Sequence, residues 1–543
     1  MVVGTTGPEE LVAGAVGAGW VVVTAAAAAD EVVEVPVVPT STALTLGAVS
    51  RGAAVRRSPW RHDGHAARTS AVTAGISQPP RKGPLIGDMM PQVAASSPVS
   101  NACASRGPRR DGGGGLRQES GGLVSRRQTQ AYAYGGQRQV LGIFDGVRVL
   151  DFTNVLSGPT LTRLMVEMGA EVIKVELPPA GDMSRTLLWM RNGRSAYFLQ
   201  QNRGKRSVFL DVKDPRGREL AEELVANVDV LVENFSPGVI ARLGLDWETV
   251  SEINPRLIMC SISAFGQDGP LRDEPGYDGI AQAYAGVLHM NGEPDRPPSL
   301  MGLSPGDVLT GVHGMAGVAA ALYHRERTGR GQKIEVSLLD CYMTCHEVNV
   351  QAWSASGGAA KPMRSGSLHP FVGGYGVFSA RDGDVILAAA NDRQWGQLCR
   401  AMGRPELEVD PRYATSPGRT ERRDEVNELI SKWLLEQPSR EAALAAMSKE
   451  RVPAAPVLSV EQAVQHPHLR HQRTVRTVAD DIIGEVDIPG MPLRFSDFPK
   501  ELELPVASLG EHNHDVVCGM LGWSEERYRV LVEAGVLQQI PGT

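Results

Sequence analysis

Bulky aromatic side chains are scarce, at 5% of the 543 residues, and only four of them (Trp20, Trp60, Tyr132 and Tyr134) lie in the first 140. That stretch contains no Phe, and its one lysine is Lys82. A segment built from Ala, Gly, Ser, Pro and Arg has too little apolar surface to offset chain entropy, so residues 1–141 are expected to form a disordered low-complexity tail. Cysteine is sparse too. The six (Cys103, Cys260, Cys341, Cys345, Cys399 and Cys518) show no dense spacing, which argues against a disulfide-stapled scaffold and for a reducing compartment. Cys341 and Cys345 stand four apart with His346 beside them but lack a second ligand pair elsewhere, so no metal is expected. Strongly apolar runs are missing: residues 11–29 carry no charge but are mostly Ala, Gly and Val, and Glu9 and Glu10 precede them where a signal would place bases.

The two parts carry opposite net charge. The first 140 residues sum to +5 and the rest to −12. The acidic remainder argues against a nucleic-acid protein, and no membrane partner is expected. Residues 51–140 hold 14 basic residues, nearly all Arg, against four acidic ones, which is similar to an organellar transit segment that begins too late in the chain. A cytoplasmic location is expected, with the mitochondrial matrix as the alternative if the tail is a transit segment.

From Gly142 the pattern changes. Residues 147–152 read as a buried strand, followed by a Gly158-Pro159 turn, a helical run and a second strand at 171–176. Strand, short loop, helix and strand make a βαβ unit and imply a parallel, doubly wound sheet. Further strands are expected at 229–233 and 257–262, and a long helix at 308–325 with Gly311, Gly314, Gly317 and Ala320 along one side for close packing. The fold class expected is α/β: a Rossmann-like doubly wound large domain (142–345 and 480–543) plus a smaller α/β domain (376–465). Linkers at 346–375 and 466–479 join them, and 452–460, with Pro453 and Pro456, is read as leading out of the smaller domain.

Two motifs compete for the chemistry. Gly302-Leu-Ser304-Pro-Gly306 matches the G-x-S-x-G nucleophile elbow, but the residue after that serine must supply a backbone N–H, and Pro305 has none. Next to it, Asp307 opens the long helix. An Asp there is ordinarily an N-cap; the functional reading is a carboxylate nucleophile held ionised by the helix N-terminus. No G-x-G-x-x-G follows the first strand and there is no Walker A sequence, so ordinary dinucleotide or NTP use has no support.

Several motifs in one order then point to a family. Gly146 to Phe152 with Ser157-Gly-Pro159, Gly169-Ala-Glu-Val-Ile-Lys-Val-Glu176, Gly181-Asp182, Asn202-Arg-Gly-Lys-Arg-Ser207, Val232-Glu-Asn-Phe235, Gly276-Tyr-Asp278, Gly306-Asp307 and Arg327-Thr-Gly-Arg-Gly-Gln332 resemble family III CoA-transferases, the formyl-CoA and carnitine CoA-transferase group. The resemblance runs from about residue 143 to the C-terminus. It implies Asp307 as nucleophile, with Asp278 and Tyr277 as accessory groups. Coenzyme A contacts are implied at Val155, Leu156, Ser157, Asn234, Phe235 and Arg242, and more weakly at Arg206 and Lys213. Leu177 departs from the family where some members place an Arg towards the nucleotide, and Leu156 where some have Gln. Gly373, Gly374 and Gly376 match a Gly-rich loop over the active site, the alternative being an interdomain turn.

The implied reaction moves CoA from an acyl-CoA, read as succinyl-CoA, to an acid, read as a dicarboxylate. It passes through aspartyl anhydride and aspartyl-CoA thioester states, with no tightly bound cofactor and a CoA thioester as substrate. The family also implies an interlocked homodimer. An α-methylacyl-CoA racemase-like epimerase is the rival of the same fold; it uses a His where this chain has Tyr277, and a phenol with an unperturbed pKa near 10 cannot replace an imidazole base without a large shift. A non-catalytic CoA-binding protein is the alternative from another class.

Overall fold

The computed structural model describes residues 142–498, 502–540 and Gly542; the expected tail at 1–141 lies outside the described residues. Six strands form the central sheet: β1 (Arg148–Asp151), β2 (Glu171–Glu176), β3 (Arg206–Phe209), β4 (Val230–Glu233), β5 (Ile258–Ser263) and β6 (Gln332–Ser337). Their spatial order is β3-β2-β1-β4-β5-β6, and every pairing is parallel. Crossover helices cover both faces, so alternate residues of one strand serve opposite cores. Val149, Val172, Val230 and Ile258 pack on one face with Leu161, Met165 and Val318, while Leu150, Ile173, Leu231 and Met259 pack on the other with Leu220 and Leu224. The helices that matter below are α1 (Ser157–Glu167), α2 (Ala196–Asn202), α3 (Pro215–Ala226), α4 (Asp278–Tyr284), α5 (Pro305–Thr328) and α6 (Leu338–Met343).

Small residues set how closely α5 approaches the sheet. A Cβ on Gly311 would lie 2.6 Å from the Ser157 carbonyl oxygen, and one on Gly314 would lie 2.7 Å from Leu161 Cδ1. These two glycines therefore let α5 lie directly on α1, while Gly317 faces Ile334 of β6. The contact also fixes what stands one turn earlier on α5, which is Asp307.

The second module is a three-stranded antiparallel sheet of β7 (Tyr375–Ala380), β8 (Gly383–Ala388) and β9 (Ala454–Pro456), in the order β9-β8-β7. The segment at 452–460 thus does more than lead out: it adds an edge strand, the place where a sheet tolerates proline, with Pro456 opposite Val385. Helices α7 (Asp392–Ala401), α8 (Arg423–Glu436) and α9 (Arg440–Lys449) close a core around Phe378, Val385, Trp395, Ile430 and Leu434.

The stretch read as a linker at 466–479 carries a short helix, Pro467–His471, and the start of a hairpin, β10 (Val475–Asp480) with β11 (Gly484–Pro489). Ile483 and Ile488 of that hairpin bury Leu199 of α2, and Asp480 pairs with Arg194 at 2.7 Å. The chain thus rejoins the large module from residue 475. Its last helix, α10 (Glu525–Glu533), brings Leu531 into the same core as Leu220, and Leu537 bridges Leu210.

Candidate functional site

In an open parallel sheet, ligands sit outside the carboxyl ends of the strands where the order reverses, which here is between β1 and β4. The loop after β1 is held there by a buried ionic lattice. Lys174 Nζ lies 2.8 Å from Asp182 Oδ2 and donates to the Thr153 carbonyl at 2.6 Å, while Lys205 Nζ lies 3.0 Å from Asp151 Oδ2. Burial opposes the charge on Asp151, but Lys205 and Lys174 outweigh it and hold the carboxyl down at about 2. Burial brings Lys205 down to about 8 against the pull of Asp151.

On this base Val155 adopts a φ of 66°, a left-handed conformation that a β-branched residue rarely takes. Its N–H donates to Asp182 Oδ1 at 3.1 Å. Asn234, just beyond β4, closes the other side: its Oδ1 accepts from Asn154 N–H at 2.8 Å, and its Nδ2 donates to the Asn154 carbonyl and to Ser157 Oγ. Val155, Leu156, Ser157, Asn234 and Phe235 are therefore brought together at one edge. Beside them, Lys213 lines a cleft of about 120 Å³ with Leu177, Pro178, Asp211, Val212 and Leu243. Leu177 gives that cleft an apolar wall. Arg242 is exposed at the end of the short helix that follows Phe235.

Asp307 stands above Ser157. It is the third residue of α5, with Ser304 at the cap position, so it is not an N-cap. The capping carboxylate comes from another helix: Asp278 Oδ1 accepts the Asp307 N–H at 3.0 Å. Asp278 in turn accepts from the Tyr342 hydroxyl, 2.8 Å from both of its oxygens, and from Gln282 Nε2 at 3.0 Å. The expectation that the helix start keeps Asp307 ionised is reversed. Burial and the neighbouring Asp278 charge push its carboxyl up to about 7, and the Ser157 hydroxyl only partly offsets them. Burial, together with the charges of Asp307 and Asp182, also pushes the Tyr197 phenol on α2 up to about 12.

Two groups of expected residues are not brought to this edge. Arg206 opens β3 at the amino end of the sheet and pairs with Glu171 at 2.6 Å, because every strand runs the same way and its first residue faces away from the ligand edge. Gly373, Gly374 and Gly376 belong to the second module. A Cβ on Gly373 would lie 2.5 Å from the Arg419 carbonyl oxygen, and the N–H of Gly374, at φ +83°, donates to Asn427 Oδ1. Gly373 thus allows a close backbone approach to Arg419, Gly376 one to Ser367 and Leu368, and Gly374 supplies a left-handed turn. Tyr277, at the cap position before Asp278, is 77% exposed and makes no side-chain cap bond. Gln282, Tyr342 and Tyr197 were not anticipated. Tyr342 is separated from Asp278 by 64 positions, and no spacing rule could have joined them. Cys341, Cys345 and His346 settle into backbone contacts, with Cys345 Sγ near the Cys341 carbonyl and His346 Nε2 near that of Ala285.

A strained loop at a switch point, facing a carboxyl at the start of a glycine-packed helix, fits acyl-group chemistry on a nucleotide-bearing substrate. The model of CoA-transferase family III matches residues 144–513. The chain belongs to that family. Like the other members, this CoA-transferase is an enzyme of acyl-CoA and carboxylate substrates. It is 40% identical to the acetyl-CoA:oxalate CoA-transferase of Acetobacter aceti over 67% of this chain and 92% of that protein. It is 34% identical to the succinyl-CoA:glutarate CoA-transferase of Mus musculus, over 73% and 90%. A CAIB/BAIF family protein from Brucella suis has a similar solved structure, with a TM-score of 0.62 and 35% identity over 70% of this chain and all of that one. Among the described residues no helix is long and apolar enough to cross a membrane.

Proposed function

We propose that this family member moves CoA from succinyl-CoA to a dicarboxylic acid, with Asp307 as the covalent relay. The Asp307 carboxylate attacks the thioester carbonyl; the C–S bond breaks, leaving a mixed anhydride and CoA thiolate. The thiolate attacks the aspartyl carbonyl and expels the donor acid as its carboxylate, so CoA now sits on Asp307 as a thioester. The acceptor carboxylate repeats the two steps in reverse order, and Asp307 is regenerated. Each step exchanges one activated acyl bond for another, so no ATP is consumed. The observation that carries the reading is a carboxyl at the start of α5, beside Ser157, with Asp278 binding its own backbone N–H.

The loop of Val155, Leu156 and Ser157, with Asn234 and Phe235, would take the pantetheine arm, and Lys213 and Arg242 would meet the phosphates near the cleft walled by Leu177. Relatives named for glutarate, oxalate and D-citramalate support a dicarboxylate as acceptor, and succinyl-CoA recurs as donor. The same reading includes a homodimer. Supporting it, Val308, Val312 and Tyr323 (68% exposed) of α5, with Leu303 (77%) just before it and Trp353 (58%) on a later helix, are large apolar side chains left exposed in the single chain.

The test incubates the full chain with succinyl-, acetyl- and formyl-CoA against glutarate, oxalate, citramalate and unrelated monocarboxylates, with products read by mass spectrometry. Transfer to dicarboxylates is expected, and Asp307→Ala should abolish both turnover and hydroxylamine-sensitive labelling. No exchange with any acid, but α-proton exchange in deuterated water, would replace the transferase by the racemase-like reading. Light scattering checks the dimer.

A further inference from the structure

We propose that Tyr342, with Gln282, is a positioning residue for the transfer reaction: it locks the Asp278 carboxylate so that Asp278 holds the backbone of Asp307 in the geometry of attack. This rests on the reading of Asp307 as the nucleophile and adds two residues to it.

Asp278, Gln282 and Tyr342 are 6%, 2% and 1% exposed, and each is engaged with the other two. Tyr342 places its hydroxyl 2.8 Å from both oxygens of Asp278, while Gln282 Nε2 spans Asp278 Oδ2 at 3.0 Å and the Tyr342 hydroxyl at 2.8 Å. The carboxylate is thus gripped from α4 and α6, and the oxygen that remains in reach of α5 accepts the Asp307 N–H.

The ring of Tyr342 completes the arrangement from below. A Cβ on Gly306 would lie 2.1 Å from Tyr342 Cε2, so the peptide that leads into Asp307 rests directly on the aromatic face. Thr310 Oγ1 donates to the Gly306 carbonyl at 2.7 Å and fixes the same peptide from the next turn. Attack on a thioester needs the nucleophilic oxygen held within a few tenths of an ångström, and each covalent state on Asp307 changes the charge of its side chain while its backbone must stay in place. An anchor on the backbone N–H serves every one of these states, because it does not depend on the side-chain oxygens that react. A hydroxyl and an amide, both neutral, steady Asp278 without cancelling its charge.

The experiment compares Tyr342→Phe, Asp278→Asn, their double variant and Gln282→Leu in the full chain, on the acyl-CoA and acid pair from the panel above that turns over fastest. Tyr342→Phe keeps the ring and removes only the hydroxyl. It should lower kcat by about tenfold or more with KM for acyl-CoA changed by less than about threefold, and Gln282→Leu should act in the same direction. Because Tyr342 acts through Asp278, adding Tyr342→Phe to Asp278→Asn should cost no more than about twofold further. Additive losses, or Tyr342→Phe and Gln282→Leu both within twofold of the parent, overturn the proposal. Full activity of Asp307→Ala instead overturns the nucleophile reading on which it rests, so the two failures are told apart. Unfolding midpoints of all variants separate lost positioning from lost fold.

Discussion

Two clusters of acids, one beneath the loop after β1 and one at the start of α5, are held by opposite means. Beneath the loop after β1, Asp151 and Asp182 are matched by Lys205 and Lys174, and both carboxyls are held below their ordinary range despite burial. At the start of α5, Asp278 and Asp307 are neighbours of the same sign; the donors on Asp278 are neutral or backbone, and Asp307 is raised to about 7. The first cluster spends its electrostatics on rigidity. The second sets a carboxyl beside a like charge with no cation to offset it, so its proton leaves only near 7. One sheet edge thus has a locked half and a reactive half, and the loop 153–157 belongs to both.

The sharpest way to break the comparison is to remove a cation from the locked half. Lys174→Met leaves Asp182 buried and unpaired, and removing one partner of a buried pair typically costs about 3–5 kcal/mol. The expected result is a loss of that size in the unfolding free energy from urea titration, with the strained Val155 turn released and CoA binding weakened. A loss under about 1 kcal/mol would mean that the lattice does not hold the loop.

The reactive half is tested by pH. On the proposed reading Asp307 attacks as its carboxylate, and its proton leaves near pH 7, so turnover should rise with pH through that value and fall away below it. The Asp278 charge contributes to the raised value, so Asp278→Asn should move the acid limb to lower pH even while kcat falls. The stability sign is the same argument in reverse. A carboxyl whose folded value lies above its unfolded 3.8 favours the folded state at low pH, and that contribution disappears as pH rises through about 7. Asp307→Asn should therefore be more stabilising, relative to the parent, at pH 8 than at pH 4. A rate profile flat from pH 5 to 8 would show that the Asp307 carboxyl does not titrate near 7 in the step that limits turnover.

The two halves were not equally legible in the sequence. In the locked half the buried strands were legible from local order, whereas Gly158-Pro159, read as a turn, lies inside α1, and the Lys174–Asp182 and Lys205–Asp151 pairs were not foreseen. The glycines of α5 likewise announced a close helix contact, and Gly311 and Gly314 make it with α1. The reactive half depends on contacts across 29 and 64 positions, where periodicity says nothing. Asp307 itself was visible, but its neighbours decide its charge, and the helix-start rule alone pointed the wrong way. Arg206 shows the converse failure. A basic residue beside a strand reads as a phosphate ligand until the strand's direction puts it at the amino edge against Glu171. The hairpin from residue 475 was hidden because only one of its faces, with Ile483 and Ile488, meets a core.

The smallest expected effect lies outside both clusters, at the cleft walled by Leu177. Lys213 is a surface cation whose backbone N–H is tied to Asp211 Oδ1 at 2.9 Å, which leaves the ammonium on a flexible stem at the cleft rim. A phosphate contact made there is largely solvated, and exposed ion pairs are worth about 0.2–1 kcal/mol. Lys213→Ala should therefore raise KM for acyl-CoA by about two- to fivefold, more at low salt than at high, and leave kcat and both acid clusters unchanged. If kcat falls and KM does not, Lys213 reports on the transfer step, and the separation between a binding cleft and a reactive half is drawn in the wrong place.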